Sequence, residues 1–302
     1  MAIKKYTHAR KLLLAFIIVL VLVITGCKPK PSRPALSADE VKTISAEFER
    51  VSKAHVDALN THDTGLITQL YTDDIKYYEE GNYPNFAGIK GLSSLLNIVF
   101  SGNPDYTVSI EDTFIGHEDE FIFYKMWNWA EIPQENPLLT YYRYILREGK
   151  IAEWWIFWDA KALAEAFSGW PGATLDPKPL QDYSSAWSSG DPETVANLYA
   201  INAVRQDALF GYDQQGSPAI KEFAANFFAW YPSLRLELLK SFEFLYSYPV
   251  MVGGVYAIHV SDQAGKPCDV HAIILLKSSQ NKIVNEWVFY QADSLVACGW
   301  AK

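Results

Sequence analysis

An internal repeat with a period of 128 residues constrains this chain more than any other feature. Asp63 returns as Asp191, Leu70-Tyr71 as Leu198-Tyr199, Gly88 as Gly216, Pro104 as Pro232 and Phe114 as Phe242. The apolar stripe Leu92, Leu95, Leu96, Val99 and Phe100 is matched position by position by Ile220, Phe223, Ala224, Phe227 and Phe228. Near the end of the chain the offset grows to 132, where Lys150-Ile151 answers Lys282-Ile283 and Trp155 answers Trp287. Fixed-period self-similarity is the mark of one architecture used twice.

Within each copy the pattern runs from helices to strands. In the first, Val41, Ile44, Phe48, Val51, Ala58 and Leu59 are spaced for a helix, with Ser37 and Glu40 as its capping box and His55 in the apolar stripe. The spacing predicts a short second helix over Asp63 to Tyr71 and a strand over Ile75 to Glu79. A third helix follows along Leu92 to Phe100 and stops at Gly102-Asn103-Pro104. Strands are expected at Tyr106 to Phe114, Glu120 to Glu131, Thr140 to Arg147 and Lys150 to Trp158, with Glu148-Gly149 as one of the turns. The second copy restarts at Leu180, Tyr183 and Trp187. Its strands are expected at Ala203 to Leu209, Leu234 to Phe244, Val250 to Val260, Val270 to Lys277 and Lys282 to Tyr290.

Helices first and a meander afterwards predict an α+β class, two tandem cone-shaped domains each with helices packed on a curved, mostly antiparallel sheet. The last strand of the first copy reads as buried on both faces. Ile151, Trp155 and Phe157 fall on one, and Ala152, Trp154, Ile156 and Trp158 on the other. One face meets the helices. The other needs a partner, either the second copy, giving an intramolecular pseudo-dimer, or a homodimer mate.

The N-terminus reads as an address. Lys4, Lys5, Arg10 and Lys11 precede an apolar run from Leu12 to Ile24 and the ending Ile24-Thr25-Gly26-Cys27. Thirteen apolar residues are short of the roughly 20 that cross a bilayer, and the pattern is that of an export signal. The ending resembles a bacterial lipobox, which makes Cys27 the lipidated N-terminus of an extracytoplasmic protein anchored to a bacterial membrane. Lys28, where Asp would resemble an inner-membrane retention signal, points to the outer membrane in a host that has two. The expected organisation is a signal peptide over 1–26, an anchor and Pro-rich linker over 27–38, a domain over 39–168, a linker over 169–179 and a second domain over 180–302.

Without residues 1–26 the chain carries 22 basic and 35 acidic residues, a formal charge of −13. Such a chain lacks the basic footprint of a nucleic-acid binder. The ten Trp, eighteen Tyr and sixteen Phe of the full sequence supply material for cores and for pockets that take flat apolar ligands. Cys268 and Cys298 are either one disulfide or two buried thiols. His259 and His271 are expected to face one another across a hairpin centred near Gly265. Neither set makes a recognised zinc motif, and no metal or cofactor is expected.

The order of elements, with Leu70-Tyr71-Thr72-Asp73-Asp74, Gly88-Ile89-Lys90-Gly91-Leu92 and Gly149-Lys150-Ile151-Ala152-Glu153-Trp154, resembles the SnoaL-like branch of the nuclear transport factor 2-like superfamily. The likeness spans about 39 to 160 and about 177 to 292. By comparison with its ketosteroid isomerases, it implies Glu79 and Asp207 as candidate bases and His55 and Tyr183 as candidate donors to a developing enolate. Tyr142 and Ile273 fall near the isomerases' protonated Asp. The chain departs from that pattern with His55 where the family has Tyr, and with Glu80 and Ala208 where a Pro follows the base.

Tyr77, Tyr142, Trp155 and Trp287 are the aromatic side chains expected to line the pockets. The leading expectation is binding of a small apolar or aromatic molecule. Cofactor-free isomerase, cyclase or dehydratase chemistry is one alternative, and a protein-interaction scaffold with filled cones is the other.

Overall fold

The computed structural model describes residues 36–79, 86–116, 120–128, 138–158, 177–207, 209, 213–243, 251–261 and 265–300. Of these, the side chains of Glu79, 120–128, Leu138, Leu139, Trp158 and Glu243 are outside the description. The expected signal peptide, Cys27 and most of both linkers also lie outside it. Residues 35–302 form one unit, which holds every element below. No helix among the described residues is long and apolar enough to cross a membrane.

The first half runs α1 (Ala38–Thr61), α2 (Thr64–Thr68), β1 (Tyr71–Glu79), β2 (Phe86–Ala87), α3 (Gly88–Gly102), β3 (Thr107–Ile115), β4 (Glu120–Asn128), β5 (Leu138–Arg147) and β6 (Lys150–Trp158). The second runs α4 (Lys178–Ser188), α5 (Pro192–Ala196), β7 (Tyr199–Asp207), β8 (Gln214–Gln215), α6 (Ser217–Trp230), β9 (Arg235–Glu243), β10 (Met251–Ser261), β11 (Pro267–Ser279) and β12 (Lys282–Tyr290). A last helix, α7 (Ala292–Ala297), was not legible as an element in the sequence pattern.

Local chemistry explains the starts and stops. The Ser37 hydroxyl accepts from the Glu40 amide at 3.2 Å and the Glu40 carboxylate from the Ser37 amide at 2.7 Å, the reciprocal capping box. Asp63 caps α2 through the amides of Gly65 and Leu66, and Asp191 caps α5 through those of Glu193 and Thr194. The α2 helix ends earlier than the expected Tyr71, because the Leu70 carbonyl accepts from the Ile151 amide at 2.9 Å and draws the chain into pairing with β6. The Leu198 carbonyl does the same with the Ile283 amide at 2.9 Å. Asp73 and Asp74 therefore lie in the strand, where Asp74 pairs with Arg147. Gly88 and Gly216 sit at φ 77° and 85°, where a side chain is strained. A Cβ on Gly216 would also come within 2.8 Å of the Ile201 carbonyl oxygen.

The strands follow the order β2-β1-β6-β5-β4-β3-β12-β11-β10-β9, with β7 alongside β12 and β8 alongside β7. β1 and β6 are parallel, as are β7 and β12, and all other pairs are antiparallel. Among the described residues the two halves meet edge to edge only where Tyr290 of β12 pairs with Ile115 of β3. The class is α+β, with helices on curved, mostly antiparallel sheet.

Two apolar cores result. The larger packs the helices on the inner sheet face of each half and includes Phe48, Leu59, Tyr71, Tyr142 and Trp154 from the first half and Leu180, Trp187, Phe223, Tyr256 and Ile274 from the second. The smaller joins the halves through the opposite sheet faces: Phe114, Tyr141 and Phe157 against Phe242, Val255, Ile273, Leu275 and Phe289. Tyr141 stacks on Phe242 with ring centroids 3.7 Å apart. A Cβ on Gly253 would fall 2.0 Å from the Phe242 ring, so the glycine makes the space that lets Phe242 into this contact. The second half thereby covers the sheet face for which the sequence left a homodimer open.

One facial assignment changes. Ile151 belongs to the helix-side core with Trp154 and Ile156, and not with Trp155 and Phe157. The pairing of β1 with β6 slips between Tyr71 and Lys76, and that of β5 with β6 slips between Ile145 and Leu146. A bulge of this kind breaks strict alternation and moves Ile151 to the other face.

Candidate functional site

Each half gathers its buried polar groups on the helix side of its sheet, but the two collections differ in kind. In the first half, His55 projects from α1, fully buried, between two phenols. Its Nδ1 meets the Tyr144 hydroxyl and its Nε2 the Tyr71 hydroxyl at 2.5 Å. An imidazole with one N–H donates to one phenol and accepts from the other, so both ring nitrogens are occupied. The His55 ring also meets the Trp154 ring edge-on at 4.8 Å. Tyr77 and Tyr142 lie 5.0 and 5.2 Å from Trp154, centroid to centroid. The result is an aromatic wall formed by α1, β1, β5 and β6. Burial holds the phenols of Tyr71, Tyr142 and Tyr144 well above the usual range, so they are neutral donors.

In the second half the same positions form an ion cluster. The Arg205 guanidinium, 4 % exposed, donates from Nη2 to Asp207 Oδ2 at 2.7 Å, from Nε to Glu286 Oε1 at 3.1 Å and from Nη1 to Gln214 Oε1 at 2.9 Å. Tyr183 donates to Glu286 at 2.7 Å, Tyr199 donates to the other Glu286 oxygen, and Tyr290 donates to Asp207 at 2.8 Å. The Leu209 amide donates to the second Asp207 oxygen at 3.2 Å. The guanidinium carbon is also 4.4 Å from the Phe223 ring centroid and 5.3 Å from that of Trp187. Burial opposes the guanidinium charge, but Glu286 and Asp207 more than offset it and hold Arg205 protonated. Burial, and then the neighbouring Glu286 carboxylate, raises Tyr183 and Tyr199.

The predicted residues are distributed accordingly. His55 and Tyr183 both point inward, each already engaged by partners in its own half. Asp207 is a member of the ion cluster with both oxygens bonded. Glu79 closes β1 opposite Ile156, and its side chain lies outside the described residues. Tyr77 and Tyr142 belong to the aromatic wall, but Trp155 and Trp287 do not. Both lie on the opposite sheet face, against the core between the halves, where Arg143 sits 5.3 Å from the Trp155 ring and 5.8 Å from that of Trp287. The inward indole is that of Trp154, one residue earlier. Ile273 likewise lies in the core between the halves.

Sequence reasoning missed Arg205, Glu286, Tyr71, Tyr144 and Trp154 as members of these clusters. The signal was in the repeat: Tyr77 aligns with Arg205 and Trp154 with Glu286, so one aromatic pair is exchanged for one ion pair.

Away from both clusters, Cys268 and Cys298 form a disulfide with Cα atoms 5.6 Å apart, tying the chain after α7 to β11. His259 does not face His271. Its cross-strand neighbour is Asp269, whereas His271 lies opposite Ala257. The His259 ring lies between Asp269 at 2.7 Å and Glu237 at 3.1 Å. Among the described residues no group of His, Cys, Asp and Glu is arranged to hold a metal ion.

No curated protein matches the chain. Solved structures of low identity are similar to parts of it. A hypothetical protein of ketosteroid isomerase-like fold from Catenulispora acidiphila, in complex with trimethylamine, is 21 % identical over 41 % of this chain and 93 % of that one, with a TM-score of 0.36. A protein from Jannaschia sp. assigned as a SnoaL-like polyketide cyclase is 16 % identical over 42 % of this chain and 94 % of that one, with a TM-score of 0.35. A protein from Xanthomonas campestris assigned as a calcium/calmodulin-dependent protein kinase II association domain is 21 % identical over 39 % and 89 %, with a TM-score of 0.34. Residues 52–154, from the middle of α1 to the indole of the aromatic wall, match the family model of the SnoaL-like domain, and that is the family this part of the chain is similar to.

Proposed function

We propose that the chain is an extracytoplasmic lipoprotein, anchored through Cys27, whose first half binds a small apolar or aromatic molecule against its aromatic wall while the second half serves as its structural partner. The observation that carries this reading is the exchange of Tyr77 and Trp154 for Arg205 and Glu286. Where the first half presents neutral rings, the second fills the equivalent place with its own mutually bonded charges. Aromatic walls with a few polar groups suit neutral ligands and need no cofactor. The export signal and lipobox in the sequence support the address. The likeness of residues 52–154 to the SnoaL-like family supports the choice of half.

A second reading, cofactor-free proton transfer, keeps Glu79 as base, since the strand register sets it at the end of β1 beside β6. Asp207 is no longer a base in that reading. Its lone pairs answer Arg205, Tyr290 and the Leu209 amide. Photolabelling of the full chain with a small benzophenone, followed by peptide mapping, tests the main reading. Labels concentrated on β5 and β6 support it; labels confined to β11 and β12 overturn it.

A further inference from the structure

On the aromatic wall, Trp154 Nε1 and Thr140 Oγ1 are buried with no hydrogen-bond partner among the described residues, as is Trp187 Nε1 in the second half. Trp154 is 2 % exposed and Thr140 fully buried. Thr140 alternates along β5 with Tyr142 and Tyr144, and Trp154 lies opposite Tyr144 on β6, so both belong to the inward face. Each orphaned donor costs roughly 1–3 kcal/mol if nothing answers it, and native proteins rarely leave one without a reason. His55 is bonded on both nitrogens. Among the described residues, the buried carboxylates and the buried guanidinium all belong to the second half.

We propose that Trp154 is the specificity-determining residue of the first-half site, its indole N–H donating to a hydrogen-bond acceptor on an uncharged ligand. The inference rests on the reading that this wall binds a ligand and adds the ligand's chemistry. An indole N–H is a donor only, so it selects for a carbonyl, ether or amide oxygen and against a hydrocarbon of the same shape. A wall without a buried charge among the described side chains gives a carboxylate or ammonium no partner there, and burying an unpaired charge is far more costly than burying a neutral polar group. Replacing the acceptor by an isosteric methylene leaves the indole orphaned, which is how a site built around one hydrogen bond discriminates.

The test uses the full chain in detergent micelles and two matched ligand pairs, acetophenone with α-methylstyrene and acetonaphthone with isopropenylnaphthalene, with benzoate as the charged comparison. Affinities are read by titration against protein-free micelles. The wild type is expected to prefer each ketone over its hydrocarbon by roughly three- to tenfold, the size of one net hydrogen bond. Benzoate is expected to be weaker than acetophenone, and Trp154→Phe to bind ketone and hydrocarbon equally. In wild-type protein labelled with nitrogen-15, the Trp154 indole resonance moves with ketone and not with hydrocarbon, a readout independent of whether the variant folds. Equal binding of ketone and hydrocarbon by the wild type, or a ketone preference that survives Trp154→Phe, overturns the role of Trp154 while leaving the binding site in place. Absence of binding by all five molecules overturns the binding reading and this inference with it.

Discussion

Arg205 and Glu286 face one another across the parallel strands β7 and β12, at the same register positions that Tyr77 and Trp154 hold across β1 and β6. The guanidinium and carboxylate are joined at 3.1 Å, and the phenol and indole pack edge to face with centroids 5.0 Å apart. One backbone geometry thus supports two chemistries. Buried ion pairs gain little over apolar replacements but are costly to break, because the survivor keeps its charge and loses its partner. Arg205→Met strands two buried carboxylates and is expected to cost about 3–5 kcal/mol. In urea unfolding, combining it with Glu286→Met should cost clearly less than the two single changes added together. Additive losses would show that the cluster does not act as a unit.

The buried phenols make stability fall steeply in alkali. Tyr71, Tyr142, Tyr144, Tyr183, Tyr199 and Tyr290 are all held above the ordinary phenol range, in each case chiefly by burial. A raised folded value means that the unfolded chain loses its protons first. Their contribution is complete below the unfolded value near 10 and is lost as pH rises above it, at about 1.4 kcal/mol per pH unit for each phenol. The tyrosinate absorbance of these residues should therefore appear together with the loss of far-ultraviolet dichroism. Gradual ionisation in a still-folded protein would contradict their burial.

His55 is the hinge of the first half's polar network, and its effect is on stability. His55→Leu leaves the Tyr71 and Tyr144 hydroxyls without the ring they share, at about 1–3 kcal/mol for each hydroxyl. Adding Tyr71→Phe and Tyr144→Phe should restore part of that loss, as removing both sides of a hydrogen bond does. Denaturant midpoints for the single and triple variants decide it; a triple variant weaker than the single one rules the network out as the cause.

The disulfide between Cys268 and Cys298 encloses a loop of 30 residues by sequence separation. Loop closure of that size is worth roughly 3 to 4 kcal/mol in the chain-entropy model. Unfolding with and without a thiol reductant should differ by about that amount, and Cys298→Ser should reproduce the reduced value without reductant. Trp300, packed against Phe227, Tyr231 and Tyr290, reports the same event by fluorescence.

Much of the fold was legible because it depends on periodicity and punctuation. The repeat, the Ser37 box, the break after Gly102 and the succession of helices and strands along the chain are local signals, and β6 and β12 ran to the residues expected. What was illegible depends on register. The slip beside Ile151 could not be seen in the sequence, and with it went the facing of that residue. The choice of Trp155 over Trp154 as the inward indole was also wrong, since both halves offer aromatic residues on either side of the last strand. Asp207 looked like a lone carboxylate because its partners Arg205, Tyr290 and the Leu209 amide come from a neighbouring position, another strand and a turn. The short strands β2 and β8 and the helix α7 are too brief to impose a period.

The central claim is that one half binds and the other supports. Native mass spectrometry of the purified full chain, with extraction of any molecule that travels with it, tests this most directly when three proteins are compared: the wild type, Tyr142→Ala and Asp207→Asn. The account predicts one small uncharged molecule per wild-type chain, retained by Asp207→Asn and lost from Tyr142→Ala. Two molecules per chain, or retention by Tyr142→Ala with loss from Asp207→Asn, would contradict it.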